Sequence, residues 1–417
     1  MVSAGQRPLA MDNVTHTLIG ALLGETAARI APPAATDRQA RVRRTLFLSV
    51  TIVGSNLPDS DLLYALGSTG KLAYLLEHRG HTHTVLGALL ASAAMLVACA
   101  LWQRRLRVAL PPRDRAWLVG LALLAPLLHI AMDAFNSYGV HPWWPLDNRW
   151  FYGDSVFIVE PLFWAAAAPL AFLLRSYVAR GLVVLALLGG LYLAFVTGVV
   201  ARGSIVFFCV LAVAMLVVGR RAPPRIALVV AIGVWLVTTA AFALAGREAV
   251  ARVDAYAGAH TRDWATIDHV LTPLPMNPFC WEVILIQAQG DRYALRRGIT
   301  SLAASVQCPA RGIGQPVTAP LQDVALADTA FLHWQGEIVG SRARLRALAA
   351  TSCEIAAFLR FARAPWLDAS AGRRVIGDLR YDREPELGFA ELDFTRSSPC
   401  PGYVPPWIPP RSDLLQR

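Results

Sequence analysis

Between residues 46 and 246 charged side chains avoid long windows of the chain, and apolar segments recur near 46–66, 85–101, 116–135, 155–174, 181–201, 203–219 and 225–246. Several reach the roughly 20 residues that a helix needs to cross a bilayer. With 55% hydrophobic and only 16% charged residues, this is not the composition of an ordinary soluble globule. Beyond Arg247 the composition turns mixed. The expected fold class is mainly α: a polytopic transmembrane helix bundle with a C-terminal soluble α+β domain.

A net charge of +10 would point a soluble protein towards nucleic acid. Here the arginines sit in short loops between spans: Arg38, Arg41, Arg43 and Arg44, then Arg104, Arg105, Arg107, Arg113 and Arg115, then Arg175 and Arg180, then Arg220, Arg221 and Arg225. That is the pattern of cytoplasmic loops, so membrane lipids are the expected partner and nucleic acid is not. Crossing by crossing, 67–84, 136–154 and the Arg202-Gly203 junction fall outside, and the region after 247 should be extracytoplasmic. Cys280, Cys308, Cys353 and Cys400 lie in that region, where an oxidising compartment permits two disulfides in three pairings. No cleavable signal peptide is expected, and residues 1–10 read as an extension before Met11.

Helix is expected over 12–30, about 247–270 and about 344–363, and strand over 279–288, 292–299, 373–381 and 388–395. Polar groups gather at the ends of the apolar runs rather than within them. His78-Arg79-Gly80-His81-Thr82-His83 carries three histidines in six residues, and Asn56-Leu57-Pro58-Asp59-Ser60-Asp61 ends the preceding run with two aspartates beyond a helix-breaking proline. His129 and Asp133 are four apart on one helix face, as are Asp12 and His16. Ionisable groups at membrane depth are costly and are usually kept for function. Mixed His/Asp sets suit hydrolytic metal ions. Asp59, His83, His129 and Asp133 are therefore the leading metal ligands, with His16 and His78 after them. Arg79 is a candidate clamp for an anionic group such as phosphate, Asp61 a second catalytic carboxylate, and Glu160 a further ligand or general base. Each pattern has a bland counterpart: a solvated loop, a helix cap, a hydrogen bond between helices. The aromatic loop at 140–154 fits an interfacial belt or an entrance for lipid.

Met11-Asp12…Thr15-His16, Asn56-x-Pro58-Asp59-x-Asp61, His78-Arg79-Gly80-x-Thr82-His83 and His129-x3-Asp133-x4-Tyr138-Gly139 resemble the bacterial membrane-bound metal-dependent hydrolase family. The resemblance covers roughly 11–165, and Pro275-x-Asn277-Pro278-Phe279-x-Trp281 looks like the start of the soluble extension in longer members. More distantly, the order of these residues is similar to zinc-dependent phospholipase C and P1-type nucleases, although the N-terminal Trp and the further His…His-x3-Glu cluster of those enzymes are missing. The resemblance implies an inner-membrane hydrolase holding one or two divalent ions, zinc first, and acting on a phosphate-ester or lipid-linked substrate. The implied division is an extension at 1–10, a membrane-embedded hydrolase domain at 11–165, further transmembrane helices at 166–246 and an extracytoplasmic domain at 247–417. The competing expectation is a non-enzymatic membrane protein, either a metal or proton transporter or a scaffold. A transporter would carry its ionisable residues at mid-membrane.

Overall fold

The computed structural model describes residues 13–63, 71–309, 318–369, 372–382, 387–395 and 400–416. Met11, Asp12 and the extension at 1–10 lie outside the described residues. Helix α1 (Asn13–Ile30) packs antiparallel on α2 (Asp37–Gly54). The contact is close because α1 turns Gly20 and Gly24 towards its partner. A Cβ at Gly20 would stand 2.6 Å from the Thr51 carbonyl oxygen, and one at Gly24 would stand 2.9 Å from the Leu48 Cα. Small residues four apart are what lets two membrane helices approach closely.

The chain then passes through a 3-10 turn (Pro58–Ser60), the short helix α3 (Lys71–Glu77) and a second 3-10 turn (His81–His83). The helices α4 (Val85–Leu106), α5 (Pro112–Asp133), α8 (Tyr177–Val196), α9 (Arg202–Arg221) and α10 (Pro224–His260) are long and apolar enough to cross a membrane. Leu90, Val97, Leu185, Val206, Val213 and Val237 stand exposed on them. An apolar surface of that extent belongs against lipid.

Two of the seven expected spans take another form. The run at 46–66 is not one helix: α2 begins earlier, at Asp37, and ends at Gly54, before Asn56-x-Pro58. The run at 155–174 is not one helix but two, α6 (Pro161–Ala166) and α7 (Leu170–Leu173), interrupted at Pro169. Residues 160–171 are all buried. Irregular backbone at that depth is tolerable where protein, not lipid, surrounds it. The segment still traverses the bundle: the Leu173 carbonyl accepts from Arg29 at the arginine-rich end (3.1 Å), while Glu160 lies at the other end.

Helix α10, with 37 residues and thus about 55 Å long, runs out of the bundle into the C-terminal domain. It ends at His260 and is followed by strand, not by the helix expected to 270. β1 (Ala265–Leu274), β2 (Asn277–Gln289), β3 (Arg292–Ser301) and β4 (Leu332–Ser341) form an antiparallel meander in chain order. After α11 (Arg342–Thr351) and α12 (Cys353–Phe358), split at Ser352 where one helix was expected, β5 (Pro365–Asp368), β6 (Val375–Asp378) and β7 (Glu391–Asp393) make a second sheet. α13 (Ser412–Leu415) follows. The disulfides pair Cys280 with Cys308 and Cys353 with Cys400.

The domain sits on the end of the bundle that carries the His/Asp residues. Arg363 bonds both Asp154 oxygens at 2.8 Å and Asp268 at 2.7 and 3.0 Å. Arg380 donates to the Ser137 carbonyl (2.6 Å), and the Trp407 indole donates to the Leu76 carbonyl (3.0 Å). The aromatic loop is therefore divided: Trp150 is buried beneath the domain, and Trp143 remains exposed.

Candidate metal centre

Four segments meet under that domain. Beyond the break in α2 the 3-10 turn brings in Asp59, and the turn before α4 brings in His83. The last turn of α5 supplies His129 and Asp133 from one face, and the first turn of α1 supplies His16. All five are buried. Their spacing is close to that of a coordination shell. His83 Nε2 lies 3.1 Å from His129 Nε2, 3.4 Å from Asp59 Oδ1 and 3.2 Å from Asp133 Oδ2. His129 Nε2 lies 3.6 Å from Asp59 Oδ1 and 3.5 Å from Asp133 Oδ2. A tetrahedron of ligands about 2.0–2.1 Å from an ion has edges of about 3.3 Å.

The hydrogen bonds around the rings decide which nitrogens point inwards. His129 Nδ1 is 2.7 Å from the Ser55 carbonyl, which can only accept, so the proton is on Nδ1 and the Nε2 lone pair faces the centre. His83 Nδ1 is 3.2 Å from Asp61 Oδ2 and 3.1 Å from the Thr82 hydroxyl, which fixes the same tautomer. Two imidazole lone pairs and two carboxylates then converge with no donor among them, and buried Asp133 Oδ2 accepts no hydrogen bond. Such a set calls for a cation. Burial pushes the His83 ring down, but the Asp61 charge and the Asp133, Asp59 and Asp61 carboxylates outweigh it and hold the ring well above the usual histidine range. Burial likewise raises Asp59, yet His129 and His83, once their Nε2 atoms take up a proton, hold it well below the usual carboxylate range. The pocket carries the field that binds positive charge, and its donor set fits a divalent ion.

Three further expected site residues lie around these four groups. Asp61 accepts from the Arg79 backbone N–H (2.9 Å) and the Thr82 hydroxyl (3.0 Å), and its other oxygen faces His78 Nδ1 (3.1 Å). It orients the His78 and His83 rings. His78 shares with Asp59 and Asp61 a second grouping whose ligand atoms lie within 4.8 Å of one another. Arg79, expected as an anion clamp, is fully buried and bonds Asp133 Oδ1 (2.9 Å), Asn136 Oδ1 (2.9 Å) and the Asp133 carbonyl (3.2 Å). Its fork is turned inwards, so it sets the Asp133 carboxylate. His16 reaches Asp133 Oδ1 from the other side (3.3 Å) and stacks on His129, with ring centroids 3.8 Å apart.

Glu160 accepts from Leu162 N–H (3.0 Å) and from Met276 N–H in the β1–β2 turn (3.1 Å). It thus caps α6, ties the external domain to the bundle, and lines a cavity of ≈ 20 Å³ with His16, Asp133, Asn136 and Phe157. That space admits about one water. Asn136, the Ser55 carbonyl and His141 escaped the reading of the sequence. His141 is buried against Trp407, with ring centroids 3.9 Å apart, and burial pushes it down to about 3, so it is neutral packing beneath the loop.

Residues 11–205 match the family model described as YdjM inner membrane protein. The matched stretch includes every residue of the centre and stops before the C-terminal domain. Over 140 residues, 34% of this chain, the sequence is 29% identical to the uncharacterized protein YfhP of Bacillus subtilis (strain 168). That alignment spans 39% of the relative's length. None of the solved structures matches. The matched family and the five long apolar helices make this a multi-pass membrane protein with a buried His/Asp cluster that could hold a metal ion.

Proposed function

We propose that the chain is a metal-dependent hydrolase of the bacterial inner membrane. One divalent ion, zinc, is held by Asp59, His83, His129 and Asp133, and the substrate is a phosphate-ester or lipid-linked molecule. The observation that carries this reading is the set of five ligand-to-ligand distances of 3.1–3.6 Å among groups whose tautomers leave only lone pairs facing inwards. A zinc ion there would acidify a water and polarise the bond to be cut. The protein residues do the rest. Asp61 and the Ser55 carbonyl hold the two imidazoles, Arg79 holds Asp133, and Glu160 on the cavity wall receives the proton of the attacking water. Loops rich in arginine are cytoplasmic by the positive-inside rule, which argues for a centre at the outer face and an extracytoplasmic C-terminal domain.

One observation favours a scaffold instead. Four protein ligands would close a tetrahedron, as they do in structural zinc sites. The transporter reading is weaker, because the ionisable groups gather at one end of the helices rather than at mid-membrane. The test is metal content of the detergent-purified full chain beside H83A/D133A, together with hydrolysis of a phosphodiester and of phospholipid vesicles. Stoichiometric zinc lost in the variant, with hydrolysis that follows the zinc, is the expected result. Zinc without hydrolysis of any ester selects the scaffold, and no metal in either protein overturns the site.

A further inference from the structure

The opposite end of the bundle carries a second feature, independent of the metal centre. Fifteen arginines cluster there, from Arg29 to Arg225, against three acidic residues. Hydrogen bonds tie this end together: Arg38 donates to the Leu106 carbonyl (2.8 Å) and Arg225 to the Arg29 carbonyl (3.0 Å). Two of the acids are already neutralised. Glu25 is buried between Arg29 (2.7 Å) and Arg44 (2.6 Å), and buried Asp114 pairs with Arg43 (3.3 Å). The third, Asp37, stands in the first turn of α2.

The turn between α4 and α5 is built rather than loose. Arg107 closes α4 in a left-handed conformation (φ 51), Val108 N–H donates to the Gln103 carbonyl (3.1 Å), and Leu110 N–H donates to the Gln103 side chain (3.3 Å). Val108 and Leu110 are buried beneath it. This turn frames a groove of ≈ 470 Å³ with Arg104, Arg107 and Arg115 on its walls and Ala100 towards the apolar flank of α4. The three arginines are exposed and, among the described residues, their side chains make no hydrogen bond or ion pair. Just below, Leu101 and Val97 are exposed on the apolar face of α4.

We infer that this groove binds the headgroup of an acidic phospholipid. The phosphate would be held by Arg104, Arg107 and Arg115, and the acyl chains would lie along the apolar face of α4. A guanidinium fork matches phosphate oxygens, and basic pockets between membrane helices are a recurring setting for anionic headgroups. A lone surface arginine attracts the membrane diffusely. Three around one built turn and its two flanking helices, above an apolar wall, recognise a single lipid.

The test titrates the full-length protein in detergent with short-chain phosphatidylglycerol, short-chain phosphatidylcholine or inorganic phosphate, and reads bound lipid by native mass spectrometry. The variant R104Q/R107Q/R115Q is compared with R175Q/R220Q/R221Q, which removes equal charge from the same end outside the groove. Each groove arginine should be worth about fivefold in affinity for phosphatidylglycerol, so the groove triple should lose about 100-fold and the control less than about threefold. The single variants R104Q and R115Q, which retain the other arginines, should each lose about fivefold. Equal losses in the two triples would reduce the site to bulk charge and overturn it. So would phosphatidylcholine binding as well as phosphatidylglycerol, or inorganic phosphate competing at the concentration of the lipid.

Discussion

Asp61 stands one bond away from the centre and faces the groups that shape it: His78, the Arg79 N–H, the Thr82 hydroxyl and His83 Nδ1. Replacing it with Asn keeps the shape but puts an amide group where a charge had fixed the His83 tautomer. D61N should therefore still load with zinc at saturation while its affinity falls about 10–100-fold, which chelator competition measures. A wild-type affinity in D61N would return Asp61 to the role of a helix cap. The candidate ligands were legible as a cluster, because His and Asp at membrane depth or at i, i+4 have few structural excuses. Their supports were not. The Ser55 carbonyl belongs to every residue alike, and Arg79 turned inwards only because its backbone takes a left-handed conformation (φ 57) that aims the fork at Asp133 and Asn136.

Among the elements, α1 depends most on what it packs against. Its first turn holds His16, and its position on α2 is set by Gly20 and Gly24. A methyl at Gly24 meets the Leu48 backbone, which cannot yield as a side-chain tip would, whereas a methyl at Gly120 on α5 meets nothing within 4 Å. G24A should cost about 1–3 kcal/mol through overpacking. G120A should be neutral or gain up to about 1 kcal/mol of helix propensity. Thermal unfolding in detergent separates the two, and equal midpoints would mean that the α1–α2 contact is looser than drawn. The same logic explains which elements were readable. The long lipid-facing helices announce themselves by composition alone. The segment at 155–174 has that composition too, but its prolines break it, and only the surrounding protein makes the break affordable. Only Thr261-Arg262-Asp263-Trp264 separate α10 from β1, with no proline or glycine among them, so the sequence carries no breaker where the helix ends at His260.

At the scale of the whole molecule, the bundle and the external domain act as one body because charged groups clamp them together over the centre. Arg363 is buried and satisfies Asp154 from the bundle side and Asp268 from β1 at once. The existence of a polar domain after the last span was clear from composition. Its seat over the His/Asp end was not legible, since partners about 95 and 209 residues from Arg363 leave no trace in spacing. Removing Arg363 takes the partner from half-buried Asp154 and leaves half-buried Asp268 with Arg411, a loss of about 1–3 kcal/mol. R363A should therefore loosen the domain without touching any ligand. Zinc stoichiometry should stay as in the wild type, while the rate at which a chelator strips the ion should rise at least about tenfold. Limited proteolysis should cut between α10 and β1 in R363A and spare the wild type. If the stripping rate is unchanged while the domain is released, the centre is reached from the membrane side, past His16 and Phe157, and the domain is not its cover.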